Sequence, residues 1–137
     1  MREAKDVAEE FFRLTNAGDP KGVMALVAED VKWLTIGTLP VSGEHNKAEL
    51  GQLLGMLMEA MPGYHIEPGR TVSDGETIAI EATSRWTDHA GTTYDQRYTF
   101  WFVIRDGKIV IGREYFDTQY AGEILIAMMA GASEEPS

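Results

Sequence analysis

Chemistry in this 137-residue chain starts from one acidic residue in an apolar and aromatic setting, Glu114 in the run Gly112-Arg113-Glu114-Tyr115-Phe116. Side chains alternate along a strand, so Gly112, Glu114 and Phe116 share one face and Arg113, Tyr115 and Asp117 the other. A carboxylate among aromatic walls loses hydration. Its pKa rises toward the range in which it both gives and takes a proton near neutral pH. That is general acid–base chemistry, although a carboxylate paired with a cation for structure alone gives the same pattern. On the preceding strand Gln96, Tyr98 and Phe100 share a face. Tyr98 either donates a hydrogen bond to a developing oxyanion or is a core tyrosine bonded to backbone. Thr83, Arg85 and Thr87 share a face of a third strand, and Trp33 and Thr35 a face of a fourth.

Several other chemistries find no support. With zero cysteines there is no disulfide, thiolate metal site or cysteine nucleophile. His45, His65 and His89 fall in three separate segments with no i,i+4 pair, so no metal site is expected. No glycine-rich phosphate loop, dinucleotide fingerprint or nucleophile elbow is present, so no cofactor is expected. A net charge of −10 argues against nucleic acid or an anionic membrane as partner, since both require a basic footprint. No apolar run is long enough to span a bilayer, and the amphipathic opening MREAKDVAEEFF does not read as a signal peptide. A cytoplasmic location is expected.

The elements that position these residues follow from local signals. Thr93 to Thr118 reads as two antiparallel strands joined at Asp106-Gly107, because both residues of such a turn need positive φ. Asp74-Gly75 joins two earlier strands, expected at 64–72 and 77–87. A short strand is expected at 31–36 and a loop at 37–45. Residues 3–17 carry Val7, Ala8, Phe11 and Phe12 at helical spacing. Asp19-Pro20 starts a second helix. Asn46 and Glu49 form a capping box for a third, which carries Leu50, Leu53, Leu54, Leu57, Met58 and Met61 up to Pro62-Gly63. A last helix is expected at 120–130. One domain over residues 1–130 and a disordered tail at 131–137 complete the reading. Helices gathered on one face of a mostly antiparallel sheet make an α+β fold. Here the curved sheet wraps around a long helix as a cone with an internal pocket.

That order, with the segments DVKW, SGEHNKAEL and RDGKIVIGREYFDT, resembles the SnoaL-like branch of the nuclear transport factor 2-like superfamily from Ala4 to about Ala130. The family includes ketosteroid isomerase-like, polyketide cyclase-like, dehydratase and limonene epoxide hydrolase-like enzymes, and also non-catalytic binding domains. Fold does not choose among them. The resemblance implies that Glu114 faces the pocket as general base or acid. Arg85 would lie beside it and hold the carboxylate ionised. It also implies Trp33, Thr35, Gln96, Tyr98, Phe100 and Phe116 as pocket lining. Leu54, Leu57, Met58 and Met61 would form the helical wall, with Phe12 from the first helix and Met128 or Met129 near the mouth. Two departures stand out. Thr87 replaces the second acid of the epoxide hydrolases' acid-arginine-acid set, Asp88 pointing away unless a bulge re-aims it. Neither Trp33 nor Thr35 supplies the aspartate that ketosteroid isomerases carry on the first strand.

The expected function is that of a cofactor-independent isomerase, cyclase or dehydratase acting on a small, largely apolar cyclic or polyketide-like molecule. The alternatives are a non-catalytic small-molecule-binding domain, an epoxide hydrolase with an incomplete set, and a structural dimer with a filled cavity. The face opposite the helices is expected to carry Trp86, Trp101, Arg113, Tyr115 and Asp117. Such a patch suits a homodimer interface. If strand twist or a bulge swaps the faces, Trp101 turns to the pocket instead.

Overall fold

The helical layer begins where the sequence marks it. Asp19 accepts a hydrogen bond from the Gly22 amide at 2.9 Å, and Pro20 opens helix α2 (Pro20–Ala25). At α3 (Lys47–Ala60), Asn46 Oδ1 accepts from the Glu49 amide at 2.9 Å and Glu49 Oε1 from the Asn46 amide at 3.0 Å, closing a capping box. Helix α1 (Ala4–Asn16) buries Val7, Ala8, Phe11 and Phe12 on one face. This computed structural model describes residues 3–134. Helix α4 (Thr118–Glu134) runs beyond the expected end at Ala130, and residues 135–137 of the expected tail lie outside the described residues. No helix among the described residues is long and apolar enough to cross a membrane.

Six strands form one sheet: β1 (Val27–Thr35), β2 (Gly43–His45), β3 (His65–Asp74), β4 (Thr77–Arg85), β5 (Arg97–Arg105) and β6 (Lys108–Phe116). Their order is β2-β1-β6-β5-β4-β3. All neighbours are antiparallel except β1 and β6, which run parallel. The result is a curved, mixed, open α+β sheet with the helices gathered on its inner face, the expected cone. Strand β2 occupies part of the segment expected as a loop; three residues are too few to show a period of two. At the β5–β6 hairpin both turn residues have positive φ, Asp106 at 53° and Gly107 at 73°. The β3–β4 turn is shifted by one residue from its expectation: Asp74 pairs with Thr77, and the loop is Gly75-Glu76.

One irregularity decides which side chains face inward. Val103 pairs with Ile111 but Ile104 pairs with Ile109, so Val110 is an extra residue on β6, a β-bulge. Without it, buried Ile109 would put Ile111, Arg113 and Tyr115 on the inner face. With it, Phe102, Phe100 and Tyr98 pair with Gly112, Glu114 and Phe116, and all six point toward the helices. The core beneath is aromatic. Phe11 sits 5.1 Å from Phe102 and stacks on Trp33 at 5.8 Å, and Phe12 meets Phe100 edge-on at 5.3 Å. Burying each such ring is worth ~2–3 kcal/mol.

The register corrects two sequence expectations. Ile78, Ile80, Ala82 and Ser84 of β4 are buried, and Trp86 beyond them continues on that inner face. Arg85, one position out of step, is exposed on the outer face with Thr83 and Glu81. Arg85 therefore does not enter the pocket, and Trp86 does not belong to the outer patch. Trp101 and Tyr115 do lie outward, at 40% and 38% exposure.

Candidate functional site

Glu114 enters the interior from β6, beneath the aromatic inner face. Its Oε2 accepts a hydrogen bond from the indole Nε1 of Trp33 at 3.1 Å. The parallel register pairs Trp33 with Gly112 and Thr35 with Glu114, so ring and carboxyl approach along the β1–β6 seam. Gly112 is the residue that lets the ring lie there. A Cβ at that position would sit 2.2 Å from Trp33 Cε3, closer than any real contact. Burial pushes the Glu114 pKa from its ordinary 4.5 up to about 7, with the Trp33 bond opposing the shift. No Lys, Arg or His lines the space around it among the described residues.

That space has two chambers. The larger, about 230 Å³, lies between Trp33, Thr35, Phe116, Leu53 and Met61, and is closed by Leu39 and Val41 of the loop and by Ala121, Ile124, Leu125 and Met128 of α4. The smaller, about 80 Å³, is bounded by Phe11, Thr15, Val23, Leu54, Tyr64, Ile66 and Phe100. Trp33, Leu50, Leu57, Tyr98 and Glu114 line both, so the carboxyl stands at the waist between them. Together they reach the lower end of the range for small-molecule sites, ~300 Å³.

Hydroxyls stand nearby. Tyr64 donates to the Tyr98 hydroxyl at 3.0 Å, and Tyr98 in turn stands within hydrogen-bonding reach of Tyr94. Desolvation pushes Tyr64 up to about 12 and Tyr98 well above its ordinary value, so both remain neutral donors. Tyr94 lines the larger chamber and accepts from Gln96 Nε2 at 3.0 Å. Gln96 is committed elsewhere. Its Nε2 also reaches the Asp117 carbonyl at 3.0 Å, and its Oε1 accepts from the amides of Arg97 and Asp117. A side chain 2% exposed with these four bonds ties the start of β5 to the end of β6.

Of the residues expected at the site, the structure thus brings together Glu114, Trp33, Thr35, Leu54, Tyr98, Phe100 and Phe116. It does not bring Arg85, Gln96 or Met58. Met58 lines an outer groove between the C-terminal ends of α1 and α3, on the far side of Leu54 and Leu57. From α1 the lining residues are Phe11 and Thr15 rather than Phe12, which is buried in the core. Met128 lines the larger chamber, while the Met129 side chain lies outside the described residues. Asp88 caps its own turn, accepting from the amides of Ala90 and Thr92. His45 contacts the Val41 carbonyl and His65 contacts Glu67, and neither these nor His89 lines a chamber. Sequence reasoning missed Tyr64, Tyr94, Leu39 and Val41. Tyr64 meets Tyr98 from 34 positions away, and no local period reports such a contact.

Comparison with known proteins follows the same outline. Residues 8–111 match the family model described as a SnoaL-like domain. Among solved structures, an NTF2-like protein from Burkholderia xenovorans superposes with a TM-score of 0.71 at 28% identity, over 88% of this chain and 94% of that one. TerC, co-crystallised with polyporic acid, superposes at 0.77 and 20% identity over 88% and 96%. IdmH from Streptomyces antibioticus, considered a polyketide cyclase, superposes at 0.76 and 17% identity over 90% and 99%. No curated protein sequence matches the chain significantly.

Proposed function

The chain belongs to the SnoaL-like domain family, and from that premise we propose a cofactor-independent enzyme in which Glu114 moves protons on a small, uncharged, largely apolar ring-bearing molecule. One observation carries the reading. A carboxyl with a pKa of about 7 stands at the waist of an apolar cavity with no cation beside it among the described residues. At neutral pH both its protonated and ionised forms are populated, the condition under which one group serves as base and then as acid.

The chemistry that fits is proton abstraction next to a carbonyl. Ionised Glu114 takes the proton from carbon, and the electron pair moves onto the carbonyl oxygen. The Tyr98 hydroxyl, its own oxygen already accepting from Tyr64, donates to that developing oxyanion. Protonated Glu114 then returns the proton. Delivery to a different carbon completes an isomerisation. Delivery to an alkoxide formed by attack of the enolate on a second carbonyl completes a cyclisation, and delivery to a departing hydroxyl completes a dehydration. The lack of a cationic lining side chain among the described residues disfavours carboxylate or phosphate substrates, because their charge would enter an apolar cavity unpaired. A structural neighbour crystallised with polyporic acid and another considered a polyketide cyclase support a small ring-bearing or polyketide-like substrate. With Arg85 on the outer face, the acid-arginine-acid arrangement gains no support from the geometry.

The test is Glu114→Gln assayed against uncharged cyclic enones, lactones and polyketide-like diketones. Turnover should fall at least ~100-fold while an apolar ligand stays bound. Undiminished turnover would overturn the assignment, and a panel bound but never turned over would favour a binding domain.

We further propose a homodimer through the outer sheet face. Trp101 and Tyr115 stand exposed there beside Arg113, the aromatic and arginine composition that interface cores favour.

A further inference from the structure

We infer that Trp33 is a positioning residue for Glu114: its indole N–H holds Oε2 and leaves Oε1 to exchange protons in the cavity, while Gly112 supplies the space that sets the ring. The use assigned to Oε1 rests on the acid–base reading above; the coupling of ring and carboxyl rests on geometry alone. The bond is 3.1 Å, and among the described residues no other side chain donates to this carboxyl. The ring has no freedom to leave it. Phe11 stacks on the indole at 5.8 Å and Phe102 lies against it at 5.7 Å. Beneath it, an added Cβ on Gly112 would stand 2.2 Å from Cε3 and 2.5 Å from Cζ3. Gly112 is needed for space rather than for an unusual φ, since its backbone is not left-handed.

The consequence is chemical. A carboxyl in this apolar cavity with no donor would hold its proton to a pH above neutrality. One N–H donated to the ionised form opposes that and keeps both forms populated near pH 7. The other titratable groups facing the cavity are the hydroxyls of Tyr64, Tyr94 and Tyr98, all with raised pKa values and neutral in this range. Helices α1, α3 and α4 contribute no titratable lining side chain among the described residues.

Two NMR measurements on the free protein test this without a substrate. In the unaltered chain, the carboxyl carbon of Glu114 and the indole ¹H–¹⁵N signal of Trp33 should titrate with one shared midpoint. The indoles of Trp86, which donates to the Pro62 carbonyl, and of Trp101 on the outer face should not follow it. In Trp33→Phe the Glu114 midpoint should rise by about one pH unit, the worth of one hydrogen bond to a charged group. Gly112→Ala should raise it in the same direction by displacing the ring. A Trp33 indole that does not titrate with Glu114, or a midpoint unmoved in a folded Trp33→Phe, would overturn the inference. If Trp33→Phe does not fold, the indole titration of the unaltered chain decides alone. Full turnover by Glu114→Gln would remove the acid–base role and leave this coupling standing, so the two failures are distinguishable.

Discussion

At the scale of single residues, a carboxyl held at a pKa of about 7 in the folded chain and near 4.5 unfolded makes stability depend on pH with a definite sign. Between these values the folded state keeps a proton that the unfolded state has released, so stability falls as pH rises through the window. Glu114→Gln removes that loss. In urea unfolding the variant should be the more stable protein at pH 8, by up to ~3 kcal/mol, and the gap should close toward pH 4. A variant less stable at pH 8 would mean that the ionised carboxylate is better satisfied than its surroundings indicate. Gln96→Ala should cost ~3 kcal/mol, because it strands the Asp117 amide and carbonyl together with the Tyr94 hydroxyl. Arg85→Ala should change stability by less than ~0.5 kcal/mol, as for other exposed positions. It should leave turnover unchanged. Glu114 was legible in the sequence because one acid among aromatics is a strong local signal. Arg85 was misread although the signal was present. Ile78, Ile80 and Ala82 alternate with Glu81 and Arg85, and that period alone turns Arg85 outward, against what the family resemblance implies.

At the scale of elements, the site depends on how β6 and α4 are set. The β5–β6 hairpin could be read from Asp106-Gly107, but the Val110 bulge could not, since Ile109-Val110-Ile111 is uniformly apolar and hides the change of face. Helix α4 walls the larger chamber yet packs mainly on a second, smaller cluster of Met61, Trp86 and Tyr94 rather than on the main core. Its start is fixed by Asp117, whose side chain accepts from the Tyr120 amide at 3.1 Å. The Tyr120 hydroxyl secures it further, accepting from the Asp95 amide and donating to the Thr93 carbonyl. Tyr120→Phe removes both bonds. Global stability should drop by only ~1 kcal/mol, while amide exchange across the start of α4 and residues 93–95 should quicken markedly. Unchanged exchange there would show that the small cluster alone holds the helix.

At the scale of the molecule, the cone has an aromatic inner face that makes the site and an outer face that leaves Trp101 and Tyr115 in contact with solvent. If that outer face joins two copies, sedimentation should give a dimer, and Trp101→Glu should give a folded monomer with the Glu114 titration intact. An unaltered oligomeric state in that variant would remove the outer face from the interface. The cone itself was readable from the order of elements, capping signals and turns. Chamber size and the two-chamber shape were not, because they depend on side chains from α1, α3, α4 and four strands converging on one point. In the proposed function this convergence leaves one carboxyl poised to trade protons at neutral pH, and the pKa of Glu114 in the unaltered protein, by carbon-detected NMR titration with Glu114→Gln as the assignment control, tests that most directly. A midpoint near 7 is the predicted result; a midpoint at or below the ordinary 4.5 would contradict it.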